Sequence, residues 1–155
     1  MSAGSKPYSG TNHVGFAVSN LDRAITFYTA LLGEGPFFRS IYEAPYLGDI
    51  LGYPGCRLDA AFFHLPGGET FLELLHYLEP AARKVDPETY NVGNAHLCLE
   101  TDDLAHDYKR VAAAGGVFRS PAPIDITFGP FKGGKAAYFR DPDGISIELI
   151  QSPPK

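Results

Sequence analysis

Two phrases of this chain set a carboxylate in the middle of an apolar run, Leu72-Glu73-Leu74-Leu75 and Ile147-Glu148-Leu149-Ile150. Each belongs with a strand-like segment opened by a histidine, His13 for the first and His96 for the second. A carboxylate among Leu and Ile side chains is costly to bury unless a cation or a set of hydrogen bonds meets it. Imidazole nitrogen and carboxylate oxygen are both ligands for a divalent ion. Two neutral nitrogens and two carboxylates make a net-neutral site, and octahedral geometry leaves two positions for water or substrate oxygens. Such a donor set suits nickel, zinc, cobalt, iron or manganese better than magnesium. His13, Glu73, His96 and Glu148 are therefore the candidate ligands of one divalent metal ion.

The pairing reflects an internal repeat. His13 and His96 lie 83 positions apart, and the same shift lays His13-Val14-Gly15-Phe16-Ala17-Val18 over His96-Leu97-Cys98-Leu99-Glu100-Thr101 and carries Gly33 onto Gly116. Glu73 and Glu148 are 75 apart, so the first copy holds eight more residues than the second. The surplus belongs in Tyr42–Arg57, where Pro45, Gly48, Gly52, Pro54 and Gly55 predict a long loop or lid. Within each copy the order of elements is β-α-β-β-β. Val14, Phe16 and Val18 fall on one face of the first strand and His13, Gly15 and Ala17 on the other. Ser19 or Asn20 caps a helix in which Leu21, Ala24, Ile25, Tyr28, Leu31 and Leu32 recur at helical spacing up to Gly33. In the second copy Asp102 or Asp103 caps a helix running to Gly115-Gly116. Strands are predicted at Arg57–His64, Thr70–Tyr77, Lys135–Phe139 and Ile145–Gln151, with weaker ones at Phe37–Tyr42 and from Val117. Period two puts Glu148, with Ser146 and Ile150, on the face opposite Ile147 and Leu149. Each module thus offers one His and one Glu to the side away from its helix. If two such sheets meet across a pseudo-twofold axis, all four converge.

The expected fold class is α+β, with two pseudo-symmetric βαβββ modules forming a curved, cup-like mixed sheet around a metal site. Residues 1–10 are expected to be a flexible N-terminal segment and 11–151 a single domain, its modules at about 11–80 and 93–151. The 155 residues, 45% hydrophobic, suffice to bury roughly 70% of the unfolded chain's surface. Thirteen basic and eighteen acidic residues give a net charge of −5 with no Lys/Arg run, which argues against nucleic acid or an anionic membrane as partner. Neither an apolar leader core nor a run of about 18 apolar residues is present, so a cytoplasmic protein is expected. Cys56 and Cys98 form no CxxC pair and read as reduced packing residues.

These residues bring a family into view. The chain resembles the vicinal oxygen chelate superfamily, which includes glyoxalase I, methylmalonyl-CoA epimerase, extradiol dioxygenases and bleomycin-binding proteins. The resemblance covers about residues 11–151. It rests on His13-Val14-Gly15-Phe16-Ala17-Val18, Leu21-Asp22-Arg23-Ala24-Ile25-Thr26-Phe27-Tyr28 with Leu32-Gly33, Ala95-His96-Leu97-Cys98-Leu99-Glu100, and Arg140-Asp141-Pro142-Asp143-Gly144 ahead of Glu148. By resemblance, His13, Glu73, His96 and Glu148 occupy the metal-ligand positions. It implies a divalent-metal-dependent isomerase, epimerase or lyase that moves a proton beside the carbonyl of a small molecule or thioester. An Fe(II) extradiol-type dioxygenase is the alternative, and a drug-binding resistance protein a third. Gly129-Pro130-Phe131-Lys132-Gly133-Gly134-Lys135 is similar to the glutathione-touching loop of bacterial glyoxalase I, whereas Ala17 stands where that family carries an Arg for the glutathione carboxylate.

Removing a proton beside a carbonyl leaves charge on oxygen, which a divalent ion stabilises while a carboxylate holds the proton. Glu148 and Glu73 are the candidates, Glu148 favoured for its small neighbour Ser146. The expected partners are a small-molecule substrate and a second copy of the chain in a homodimer, and whether the modules pair within one chain or across the dimer stays open. Other signals are weaker. Gly129–Lys135 fits a phosphate-loop pattern formally, but Ala136 replaces the needed Ser/Thr and a strand follows. Lys132 and Lys135 read as loop charges that could meet an anion, His64, His76 and His106 as structural or surface residues, and Tyr46, Tyr53, Phe62 and Phe128 as possible pocket linings.

Overall fold

A computed structural model describes residues 7–154, and most of the N-terminal segment expected to be flexible lies outside the described residues. Module one contains β1 (His13–Ala17), α1 (Leu21–Leu32), β2 (Phe38–Tyr42), α2 (Pro45–Leu51), β3 (Arg57–His64) and β4 (Phe71–Glu79). Module two contains β5 (Leu97–Glu100), α3 (Leu104–Ala113), β6 (Val117–Phe118), β7 (Ile124–Asp125), β8 (Lys135–Arg140) and β9 (Ser146–Gln151). The sheets have matching orders, β1-β4-β3-β2 and β5-β9-β8-β6, with β7 added against β8. In each, the first strand runs parallel to the last and the remaining pairs are antiparallel. The α+β fold with repeated βαβββ order is thus observed, as two mixed sheets that share no hydrogen-bonded strand pair.

Local chemistry explains the helices. Asn20 caps α1 by accepting a hydrogen bond from the Arg23 amide, and Gly33 closes it in the left-handed region at φ 84°. Leu21, Ala24, Phe27, Tyr28 and Leu31 are buried along one stripe, with Phe27 taking the place expected for Ile25. Asp103 caps α3 through the His106 amide. The segment expected to be a loop or lid folds its first half into α2, a seven-residue helix that starts on Pro45 and ends at Gly52.

One hydrophobic core joins the modules: Tyr28, Leu72, Leu74 and Phe63 from the first pack with Leu104, Val111, Phe139, Ile147 and Leu149 from the second. A polar network fastens this seam. The Tyr28 hydroxyl, fully buried, donates to Asp141 at 3.0 Å, and the Asp141 carboxylate also accepts from the amides of Asp143 and Ile145. Asp143 accepts from the Ser19 amide and hydroxyl and pairs with Arg23. With the helical sides turned into this shared core, both sheets keep their other faces for function. No helix among the described residues is long and apolar enough to cross a membrane.

Candidate metal centre

Register places the module-one pair. Gly15 lies opposite Glu73 across the parallel β1–β4 ladder, so His13, Gly15 and Ala17 share a face with Phe71, Glu73 and Leu75. His13 Nε2 lies 3.5 Å from Glu73 Oε2. The other ring nitrogen, Nδ1, is 2.7 Å from Asn12 Oδ1. If Nδ1 carries the proton and donates to that oxygen, the Nε2 lone pair is left facing the carboxylate, the tautomer a metal-binding histidine needs. Phe71 stacks on the His13 ring at 5.2 Å and Phe62 stands opposite Glu73 on β3. Burial in this aromatic setting pushes the Glu73 carboxyl above its usual range, and His13 opposes the shift only in part.

The second pair repeats the arrangement. Cys98 lies opposite Glu148 on the β5–β9 ladder, and His96 just ahead of β5 falls on the same face. His96 Nε2 lies 3.2 Å from Glu148 Oε2. Tyr138, opposite Glu148 on β8, brings its hydroxyl to 3.0 Å from the same His96 nitrogen. Partial desolvation of its sulfur and the neighbouring Glu148 push the Cys98 thiol up to about 12, although the residue keeps an exposed edge, and partial burial with Glu148 raises the Tyr138 phenol. Cys98 is exposed, so the expectation of a packing role holds for buried Cys56 and fails for Cys98, which period two turns onto the open face.

The two pairs do not meet: among the described residues no three His, Cys, Asp or Glu side chains gather closely enough to hold an ion. Each module delivers one His–Glu couple. The couples also sit on unlike walls. Around His13 and Glu73 the face is apolar, with Phe38, Phe62 and Phe71, and its far end is covered by α2 through Leu47 and Leu51 packed with Leu58 and Ala60. Beside His96 it carries more polar groups, with Tyr138, Ser146, Arg119 and Arg140, together with Phe139, lining a cavity of about 390 Å³. A second cavity of about 580 Å³ lies between the unpaired edge of β1 and His96, lined in part by the connecting segment Val85–Ala95.

Phe62 takes its expected place beside Glu73, whereas Phe128 is exposed and Tyr46 and Tyr53 stand half-exposed on the α2 segment. Lys135 pairs with Asp125, and His64 stacks on Phe37. Strand β8, not a helix, follows Gly129–Lys135. Tyr138, Arg119 and Arg140 were not among the expected site residues. Alternation along β8 puts Ala136, Tyr138 and Arg140 on one face, but only the pairing register shows that this face is Glu148's.

The donor chemistry fits a divalent ion: each pair joins an imidazole nitrogen to a carboxylate oxygen, and half-buried Glu73 has His13 as its ion-pair partner. The profile of the Glyoxalase/Bleomycin resistance protein/Dioxygenase superfamily matches residues 10–149. The chain belongs to this superfamily. It is 31% identical over 150 residues to a 2-epi-5-epi-valiolone epimerase of Actinomyces sp., covering 92% of this chain and 79% of that protein. It is 33% identical over 144 residues to a lactoylglutathione lyase of Neisseria meningitidis, covering 90% and 88%. A probable chloroplastic lactoylglutathione lyase of Arabidopsis thaliana is 34% identical, and there the chain spans 35% of the relative's length. A crystal structure of a glyoxalase family protein from Bacillus cereus superposes with a TM-score of 0.79 over 97% of this chain and 99% of that one, at 20% identity, a likeness of fold. These relatives place the chain among the isomerase and lyase enzymes of the superfamily.

Proposed function

We propose that the chain is a divalent-metal-dependent epimerase or isomerase that moves a proton on the carbon next to a small molecule's carbonyl. The observation that carries this reading is the pair of equivalent His–Glu couples, 3.5 Å and 3.2 Å apart, at matching positions of the two repeats. His13 and Glu73 of one copy, with His96 and Glu148 of a second copy in a homodimer, would hold one ion. Separation of the couples within one chain and the unpaired edges of β1 and β5 both favour that assembly.

When bound, the ion would act as a Lewis acid that stabilises negative charge on the substrate oxygen. Proton transfer falls to the carboxylates. Glu148 is the favoured base: polar residues surround it, and Tyr138 and Cys98 can donate to its oxygens and hold the side chain in place. Glu73, walled by Phe62 and Phe71, is desolvated, which raises its affinity for a proton and suits it to carry one on the opposite side of the substrate. A carboxylate on each side would allow inversion at the carbon, the task of an epimerase. The Actinomyces relative, named as an epimerase, supports that direction. Ala17, at the end of β1, provides no cation for a glycyl carboxylate, so the methylglyoxal–glutathione hemithioacetal is expected to be a poor substrate.

Exchange in deuterated water tests the reading. Purified metal-loaded protein should wash deuterium into the carbon beside the carbonyl of α-hydroxyketone substrates. Glu148→Gln should lower exchange by on the order of 10²- to 10⁴-fold, since the amide cannot carry the proton. Oxygen uptake with a catechol and ferrous iron, without exchange into any carbonyl compound, would move the chain to the dioxygenases.

A further inference from the structure

The polar wall beside His96 contains charge that the proton-transfer reading does not use. Arg119, at the end of β6, forms a bidentate pair with Glu88 at 2.8 and 2.9 Å. Arg140, on β8, is almost wholly buried, and its Nη1 donates to the Pro87 and Gly144 carbonyls and to the Ser146 hydroxyl. Its Nη2 is buried without a hydrogen-bond partner, with Glu88 Oε2 at 3.6 Å, beyond bonding reach. One carboxylate therefore serves two guanidinium groups. A buried charged N–H without a hydrogen-bond acceptor is costly even with a carboxylate 3.6 Å away. Thr89, Arg119, Tyr138, Arg140 and Ser146 bring hydrogen-bonding groups to one space next to His96, with Phe139 as its apolar floor.

Glu88 belongs to neither sheet. It sits in the connection between the modules, in a turn held by hydrogen bonds of the Asn91 amide and the Asn94 side chain to the Glu88 carbonyl and of the Glu88 amide to Asp86. Those contacts involve main chain, so the Glu88 side chain can swing away without unfolding the turn.

We propose that this cavity is a subsite for an oxyanion of the substrate, a phosphate monoester or a carboxylate, and that the Glu88 carboxylate is a placeholder which the substrate's anion displaces. An oxyanion with more acceptor oxygens than Glu88 offers can take both Arg119 N–H groups and give Arg140 Nη2 its missing partner. The anion would then hold the substrate with its other end toward His96 and Glu148. The inference names the substrate class of the site proposed above and rests on that reading for its link to catalysis, but the binding itself needs no metal.

Titration of the protein with inorganic phosphate, and separately with acetate, followed by calorimetry with and without a chelator, tests it. Glu88→Gln should bind phosphate roughly tenfold more tightly than wild type, and Arg119→Gln should lose most of the binding. A stronger response to phosphate than to acetate marks a phosphate site, and the reverse marks a carboxylate site. Arg119 is half-exposed, so its replacement leaves the core intact, and Arg119→Lys provides a check that keeps charge but loses the fork. Absence of saturable binding by either anion in Glu88→Gln, or binding unchanged in Arg119→Gln, would overturn the subsite. So would a response that vanishes with the chelator alone, which assigns the anion to the metal. Failure of the metal reading would appear instead as absence of metal binding while phosphate still binds.

Discussion

Glu73 is the residue in which the conflict between stability and function is sharpest. Burial among Phe62, Phe71 and Leu75 raises its pKa, so in the metal-free protein the folded state holds this proton more tightly than the unfolded state does. Glu73 thus contributes stability below the ordinary carboxylate range, and that contribution is lost as pH rises through its raised folded value. At neutral pH the metal-free Glu73→Gln protein should therefore melt at a higher temperature than wild type, and the gap should close as pH falls to 4, which thermal melts across pH will check. With metal added the order should reverse, because only the carboxylate supplies an ionic ligand. The strand faces on which His13, Glu73, His96 and Glu148 lie were legible in the sequence, because alternation alone decides which face each side chain takes. Tyr138, Cys98, Arg119 and Arg140 were not, because their nearness to His96 and Glu148 depends on which strand pairs with which, and single-strand periodicity does not contain that.

At the scale of elements, α2 is the part of module one that module two lacks. It lays Leu47 and Leu51 against Leu58, Ala60 and Leu75, closing the far end of the face that holds Glu73. Gly48 makes this possible: a Cβ there would stand 2.8 Å from the Tyr53 carbonyl oxygen, in the chain turn that returns to β3. Gly48→Ala should cost about 1–3 kcal/mol, concentrated in the lid, because backbone there must move. Hydrogen exchange should quicken over residues 44–56 while β3 and β4 keep their protection. The Tyr42–Arg57 segment read as a loop because it is rich in Pro and Gly, and a seven-residue helix is too short to declare a period. Two-residue β6 and β7 were faint for the same reason. The longer elements announced themselves through caps and alternation, with Asn20, Gly33 and Asp103 setting the ends of α1 and α3.

For the whole molecule, the seam between modules is as consequential as either sheet. Tyr28 from α1 reaches the Asp141 carboxylate in the β8–β9 turn, with both groups buried. Tyr28→Phe leaves that carboxylate short of a donor and should destabilise the fold by about 1–3 kcal/mol, read from urea unfolding, without changing metal affinity. The repeat and the core were visible from the two offsets, 83 and 75, but the sequence was silent on how the modules turn toward each other. Their helical sides face a common core, and the two His–Glu couples lie apart within one chain. If the proposed centre is shared, the two couples complete each other between two copies. The most direct test of that sharing mixes protein carrying His13→Ala and Glu73→Ala with protein carrying His96→Ala and Glu148→Ala. Neither alone should bind metal tightly, but subunit exchange at random should restore about a quarter of the wild-type sites, one in each mixed dimer. Mixed dimers that form yet hold no metal would contradict it.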